Sequence, residues 1–184
     1  WLERGRGAWG AFLLRSAAPG DLRQRAAARW SDAARDKDGI IAVERLAPLP
    51  RDLRIAEARR HLSQVVVLSS RPRDRAAYAR LLPFDEAREV LAPFLGHPEG
   101  EERAAALTSL IASIRFEPAR LGDLLDLLHG RRFEQDPVRM AMMQGLDALP
   151  IGVFRADVLS KVGQLVRDAL DAADLSWGTA AHVQ

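Results

Sequence analysis

Cysteine is absent from this 184-residue chain. Disulfides, thiolate nucleophiles and cysteine-ligated zinc are therefore excluded, and a reducing compartment, the cytoplasm, is the simplest expectation. Lysine occurs only at Lys37 and Lys161, so nearly every positive charge is a guanidinium. No apolar run approaches the roughly 18 residues that a membrane-spanning helix requires. No segment has the layout of a secretory signal, so no membrane partner is expected. The chain opens on Trp1 rather than methionine, which points to a piece of a larger protein.

Catalytic signatures are missing as well. There is no nucleophile elbow, P-loop or dinucleotide fingerprint, and Gly5-Arg6-Gly7 lacks the strand and third glycine that phosphate binding needs. His61, His97, His129 and His182 lie far apart and form no metal-ligating pair, so no metal is expected. Acid–base catalysis needs two converging carboxylates, and no Asp or Glu stands out from a solvated face. No cofactor is expected. An enzyme is the less favoured reading, although a site assembled across several helices stays open.

What the chain does have is helix. It is 48% hydrophobic and 28% charged, enough to bury a core and cover it. The stretch Asp136 to Pro150 is the clearest element: Asp136 reads as an N-cap, Pro137 fits the first turn, and Pro150 ends the run. Val138, Met142, Leu146 and Leu149 form its apolar face, and Met140, Met142 and Met143 read as packing. Val65-Val66-Val67 has strand propensity but no strand to pair with, so packing is expected to override it.

Pro19, Pro50, Pro83, Pro118 and Pro150 are separated by 31, 33, 35 and 32 residues. Each interval divides into a helix, a polar or Gly/Pro break, and a second helix. That period belongs to stacked helical hairpins. The expected organisation is a leading helix in 1–18 and a repeat domain in 19–173. The repeats are 19–49, 50–82, 83–117, 118–149 and 150–173, followed by a tail in 174–184. Trp9 and Trp30 are placed in the core, as are Leu22, Leu107, Leu110, Ile111, Ile114, Leu124, Leu128, Leu165 and Leu170.

Asp136-Pro137-Val138-Arg139, followed by Ala141 and Leu146, resembles the second helix of HEAT repeats, within the armadillo-like solenoids. Arg103, Ala105, Ala106 and Leu110 repeat part of that pattern, as do Arg75, Ala77 and Leu82. The resemblance covers residues 19–173 and implies an all-α, right-handed α-solenoid of about five stacked hairpins. It also implies that second helices line a concave surface, with Asp and Arg laddered between neighbouring units. Asp136, Arg139, Arg103, Asp74 and Arg75 fall at those positions.

Charge is unevenly placed. Lys and Arg outnumber Asp and Glu by 17 to 9 in residues 1–80, and are outnumbered 10 to 16 in residues 81–184. The basic end suits an acidic partner or a phosphate backbone. Arg71, Arg73, Arg75 and Arg80 are the first candidates for partner contact, with Arg103 and Arg139 beside them, because guanidinium binds carboxylate and phosphate in bidentate fashion. The expected function is a protein-binding scaffold. The alternative is a nucleic-acid-binding protein like the DNA-glycosylase branch of HEAT-like folds.

Overall fold

The computed structural model describes residues 30–182. The expected leading helix with Trp9, and the start of the 19–49 unit with Leu22, lie outside these residues. The chain divides into two compact units between Leu82 and Pro83. Among the described residues there is helix and no strand.

In the first unit, helical residues 30–34 precede α1 (Val43–Leu46), α2 (Arg51–Gln64), a 3-10 turn (Val66–Ser70) and α3 (Pro72–Ala79). Helix α1 is shorter than the expected Ile40–Leu49. The Asp36 carboxylate accepts the N–H groups of Asp38 and Ile40 at 2.9 and 2.8 Å, and Gly39 turns with φ of 75°. This side-chain-closed loop competes with helix, and only glycine adopts that φ without strain. Pro48 and Pro50 stop the other end.

Helix α2 ends at Gln64 instead of continuing to Leu68. Val65 is extended at φ −86° and ψ 93°, and the turn after it sends Val65 and Leu68 inward while Val66 stays 81% exposed. Helix α3 starts at Pro72, two residues before the expected Asp74, because proline is tolerated where no N–H is needed. Helices α1 and α3 both pack on α2. Ile41, Leu46, Ala58 and Leu81 are fully buried between them, whereas Trp30 is only half-buried.

The second unit contains α4 (Phe84–Leu95), α5 (Gly100–Ser113), α6 (Leu121–His129), α7 (Asp136–Asp147), α8 (Leu159–Leu170) and α9 (Trp177–Ala181). Helix α5 packs on α4 and α7, α7 on α9, and α6 on α8, so α5–α7–α9 form one row and α6–α8 another. The first turn of α5 carries Glu101 and Glu102, which favour the positive end of the helix dipole. Leu107, Leu110, Ile111 and Ile114 are fully buried, and so is the Leu121, Leu124, Leu125 and Leu128 set of α6 to within 1%. Each such side chain stabilises the unit by about 1.5–3 kcal/mol.

Three expectations need correction here. Asp136 is the first helical residue of α7 rather than its cap. Gln135 holds the cap position without a side-chain bond, and the Asp136 carboxylate is directed to α9 instead. The helix expected from Pro150 to Ala173 is delayed by 3-10 turns at Ile151–Val153 and Ala156–Val158, and Leu170 is 43% exposed rather than core. Residues 174–182 are not simply a tail. Ser176 caps α9, its Oγ accepting the Thr179 N–H at 3.2 Å, and α9 packs on α7.

The α5–α7 contact is the most extensive in the unit. A Cβ added to Gly145 would sit 3.0 Å from Ile111 Cδ1, and one added to Gly100 would sit 3.3 Å from Gln135 Oε1. Gly145→Val should therefore drive the two helices apart and destabilise the second unit by about 1–3 kcal/mol. Chemical denaturation should show a lower midpoint, and an unchanged midpoint would mean that the helices are not this close.

Candidate functional site

Three features of the folded chain bear on function. The first is the arginine set. Arg71 and Arg73 are exposed at the start of α3, and Arg71 Nη1 lies 4.0 Å from the Asp74 carboxylate. Arg75 and Arg80 are half-buried, and Arg80 donates to Glu44 at 3.2 Å. These four therefore share one short segment of the first unit.

Arg103 and Arg139 lie in the second unit and spend their guanidinium groups inside it. Arg103 donates through Nε and Nη2 to Glu134 at 2.8–3.1 Å, and through Nη1 to the carbonyls of His97 and Pro98. The side chain of Arg139 is only 5% exposed. It donates to Asp174 at 2.7 Å, to Asp136 at 3.3 Å and to the carbonyl of Glu134. The Asp136 carboxylate also accepts the Ser176 N–H at 3.2 Å and the Thr179 hydroxyl at 2.8 Å. Burial pushes the Asp136 carboxyl up, but the Ser176, Thr179 and Arg139 donors outweigh it and hold the group below its usual range. The Arg139 guanidinium holds Asp174 low as well.

The second feature is a polar cluster in the first unit that spacing did not reveal. His61 is completely buried and its ring stacks on Tyr78 at 4.4 Å with the planes 13° apart. Ile41 N–H donates to His61 Nε2 at 2.9 Å, Nδ1 sits 2.6 Å from the Glu57 carbonyl, and the Tyr78 hydroxyl donates to the Ile41 carbonyl at 2.9 Å. These contacts assign a neutral imidazole with the proton on Nδ1. Burial pushes its pKa down, Arg60 and Arg35 nearby add to that, and the Glu57 carbonyl and carboxylate only partly offset it. Burial and neighbouring carboxylates raise the Tyr78 hydroxyl to about 12.

The Glu57 carboxylate is itself pushed up by burial and pulled down further by Arg60 at 2.7 Å and Ser31 at 2.8 Å. Every heteroatom of His61 and Tyr78 is engaged with backbone and neither ring reaches solvent, so these residues fix the 35–42 loop onto α2 and α3. A buried histidine is visible in a sequence only when its partners are known, and both are backbone groups.

The third feature is the loop Gly130 to Gln135 between α6 and α7. Phe133 at its tip is 85% exposed, and the Arg132 guanidinium lies 4.3 Å above its ring. Beside it is an open cleft of about 510 Å³, walled by this loop, by Arg139, and by residues 171–174 at the end of α8. Among the cleft's carboxylates, Glu134 is taken by Arg103 and Arg131, and Asp174 by Arg139. Asp168 has Oδ1 bound to Gln164 at 2.7 Å. Its Oδ2 lies 3.0 Å from His129 Nδ1 without hydrogen-bond alignment. Asp171 is exposed and, among the described residues, has no cation within ion-pair distance. Nothing in the spacing of Phe133 singled it out, because one aromatic in a polar loop breaks no pattern.

Among the described residues, no group of three or more His, Asp or Glu side chains is arranged to hold a metal ion. No helix in them is long and apolar enough to cross a membrane. Comparison with protein-family models, curated proteins and solved structures finds no match to this chain.

The state of His61 gives a pH dependence with a definite sign. Its folded pKa is below the unfolded 6.5, so the stability it contributes is complete above pH 6.5 and is lost as pH falls below that value. The slope is at most about 1.4 kcal/mol per pH unit. Asp136 and Asp174, lowered from 3.8, contribute stability to the second unit that is lost only below about that pH. Hydrogen exchange read by mass spectrometry should show residues 41–61 losing protection from pH 6.5 downward while α7 and α9 hold to near pH 4. Equal protection of residues 41–61 at pH 7 and pH 5 would contradict the buried neutral imidazole.

Proposed function

We propose that this chain is a helical-repeat interaction module, a HEAT-like stack of hairpins that binds another protein. The observation that carries the binding role is Phe133, a large apolar ring 85% exposed at the rim of a cleft, with the Arg132 guanidinium over it. The surroundings favour recognition over chemistry. The buried imidazole is closed off, and two of the cleft's four carboxylates, Glu134 and Asp174, are committed to arginines that hold helices together.

The repeat reading is supported by where the side-chain links fall. Arg120 pairs with Asp85, Lys161 with Asp126, Arg139 with Asp174 and Arg103 with Glu134, at sequence separations of 35, 35, 35 and 31. In the first unit the Tyr78 to Ile41 and Arg80 to Glu44 bonds span 37 and 36. Links one repeat apart are what a stack predicts, since each hairpin meets only its neighbours. Arg103 and Arg139 each sit three residues into their helices and reach the loop before the next helix in the row, which fits the ladder that the resemblance implies.

A second reading has its own observation. Arg71 and Arg73 are exposed on a unit with a net positive charge, the electrostatic footprint of a phosphate-binding surface. The protein contact at Phe133 would then be secondary to contact with nucleic acid through α3.

Affinity capture with the full chain after nuclease treatment separates these. The expected result is a protein partner retained by the wild type and by Arg71→Ala/Arg73→Ala, and lost from Phe133→Ala. A captured set indifferent to Phe133 removes the protein-binding role assigned to it. The nucleic-acid reading instead requires salt-dependent DNA binding whose log–log slope shrinks by about one for each arginine removed. Absence of binding at low salt eliminates it.

A further inference from the structure

We propose that the cleft beside Phe133 receives an arginine side chain presented by a partner protein, with its guanidinium stacked on the Phe133 ring and paired with Asp171. This rests on the interaction-module reading and adds the chemistry of the partner.

The charge ledger of the cleft points to a cation. Four carboxylates, Glu134, Asp168, Asp171 and Asp174, border it together with two guanidinium groups, those of Arg132 and Arg139. Glu134 is neutralised by the half-buried Arg103 and by Arg131, and Asp174 by the buried Arg139; Arg103 and Arg139 are also tied to backbone carbonyls, so they are not free to exchange partners. Asp171 is left uncompensated and exposed at the mouth. The wider unit reinforces it, since residues 81–184 carry 16 acidic against 10 basic side chains. An acidic ligand would have to enter against that field.

The ring selects among cations. Arg132 Cζ already lies over the Phe133 ring at 4.3 Å, so the ring accepts a guanidinium above it. With the residue 85% exposed, ring surface remains for a second planar group. An ammonium has no plane to stack, whereas a guanidinium stacks and still directs its N–H edge at a carboxylate. Ala172 and Ala173 beside Asp171 leave space for the aliphatic stem.

The test is fluorescence anisotropy of the full chain with a short labelled peptide carrying paired arginines, against the same peptide with lysines and with glutamates. Arginine should bind tighter than lysine, by about threefold or more, and glutamate should not bind. Phe133→Ala should weaken the arginine peptide by about three- to tenfold, and Asp171→Lys should abolish its binding. Both residues are exposed, so neither change threatens the fold. Arg132→Ala should leave affinity equal or higher, because it frees the ring. Equal binding of the three peptides, indifference to Phe133 and Asp171, or a loss of affinity in Arg132→Ala would overturn the proposal. In the last case a Phe133-dependent partner would still stand, with acidic chemistry, so the broader reading fails only if Phe133 has no role at all.

Discussion

A buried guanidinium organises the second unit. Arg139 cannot be left unpaired at 5% exposure, because an isolated charge there would cost several kcal/mol. Its three acceptors come from three places: the Glu134 carbonyl at the end of the Phe133 loop, Asp136 at the start of α7, and Asp174 before α9. Pairing the two terminal nitrogens of one side chain therefore fixes the loop, the helix and the next turn relative to each other. The cleft is the space left between them. Its shape follows from the pairing requirement, and Phe133 is held out at its rim because the loop's other residues are tied down on both sides.

Arg103 does the same on α5, through Glu134 and the carbonyls of His97 and Pro98. Between the two arginines lies the tight α5–α7 seam, where Gly100 and Gly145 let helices approach. Apolar packing supplies most of the stability of that seam, but it is tolerant of sliding. The polar links at either end are directional, so they choose the register. The first unit solves the same problem with different groups: His61 and Tyr78 bind the backbone of Ile41 on both its N–H and its carbonyl. There the fixed element is a loop instead of a helix start, and the fixing group is a neutral ring in place of a charge.

How much of this was legible follows from the range of each interaction. Helices governed by local patterns were readable: Leu121, Leu124, Leu125 and Leu128 announce α6, and Leu107 to Ile114 announce α5. The division at Leu82–Pro83 coincides with a proline that was already a boundary. Errors gather where side chains compete with the helix over a few residues, as Asp36 does in shortening α1, or where β-branched residues break it, as at Val65. Asp136 was misassigned because its sequence context is that of a cap, while its carboxylate answers to Ser176 and Thr179, 40 and 43 residues away. Of the arginines singled out by spacing, Arg103 and Arg139 are inside the fold's polar links. Arg71 and Arg73 at the start of α3 remain at the surface, while Arg75 and Arg80 are half-buried. Phe133 and the His61 cluster were not legible, since the first is an isolated residue and the second is defined by backbone partners.

The charge asymmetry acquires a physical sense from these placements. An excess of one sign on a unit works against its own compaction, so it is retained only if links like those of Arg103 and Arg139 absorb it. In the second unit they absorb Glu134, Asp136 and Asp174, which lie where helices must be joined. Asp171 is one residue past the end of α8, outside any such link, and its charge contributes nothing to holding the unit together. A helical unit can carry such an unpaired group only at its surface, where water screens it. The surface is also where a partner can reach it, so the residues least explained by folding are those best placed for recognition.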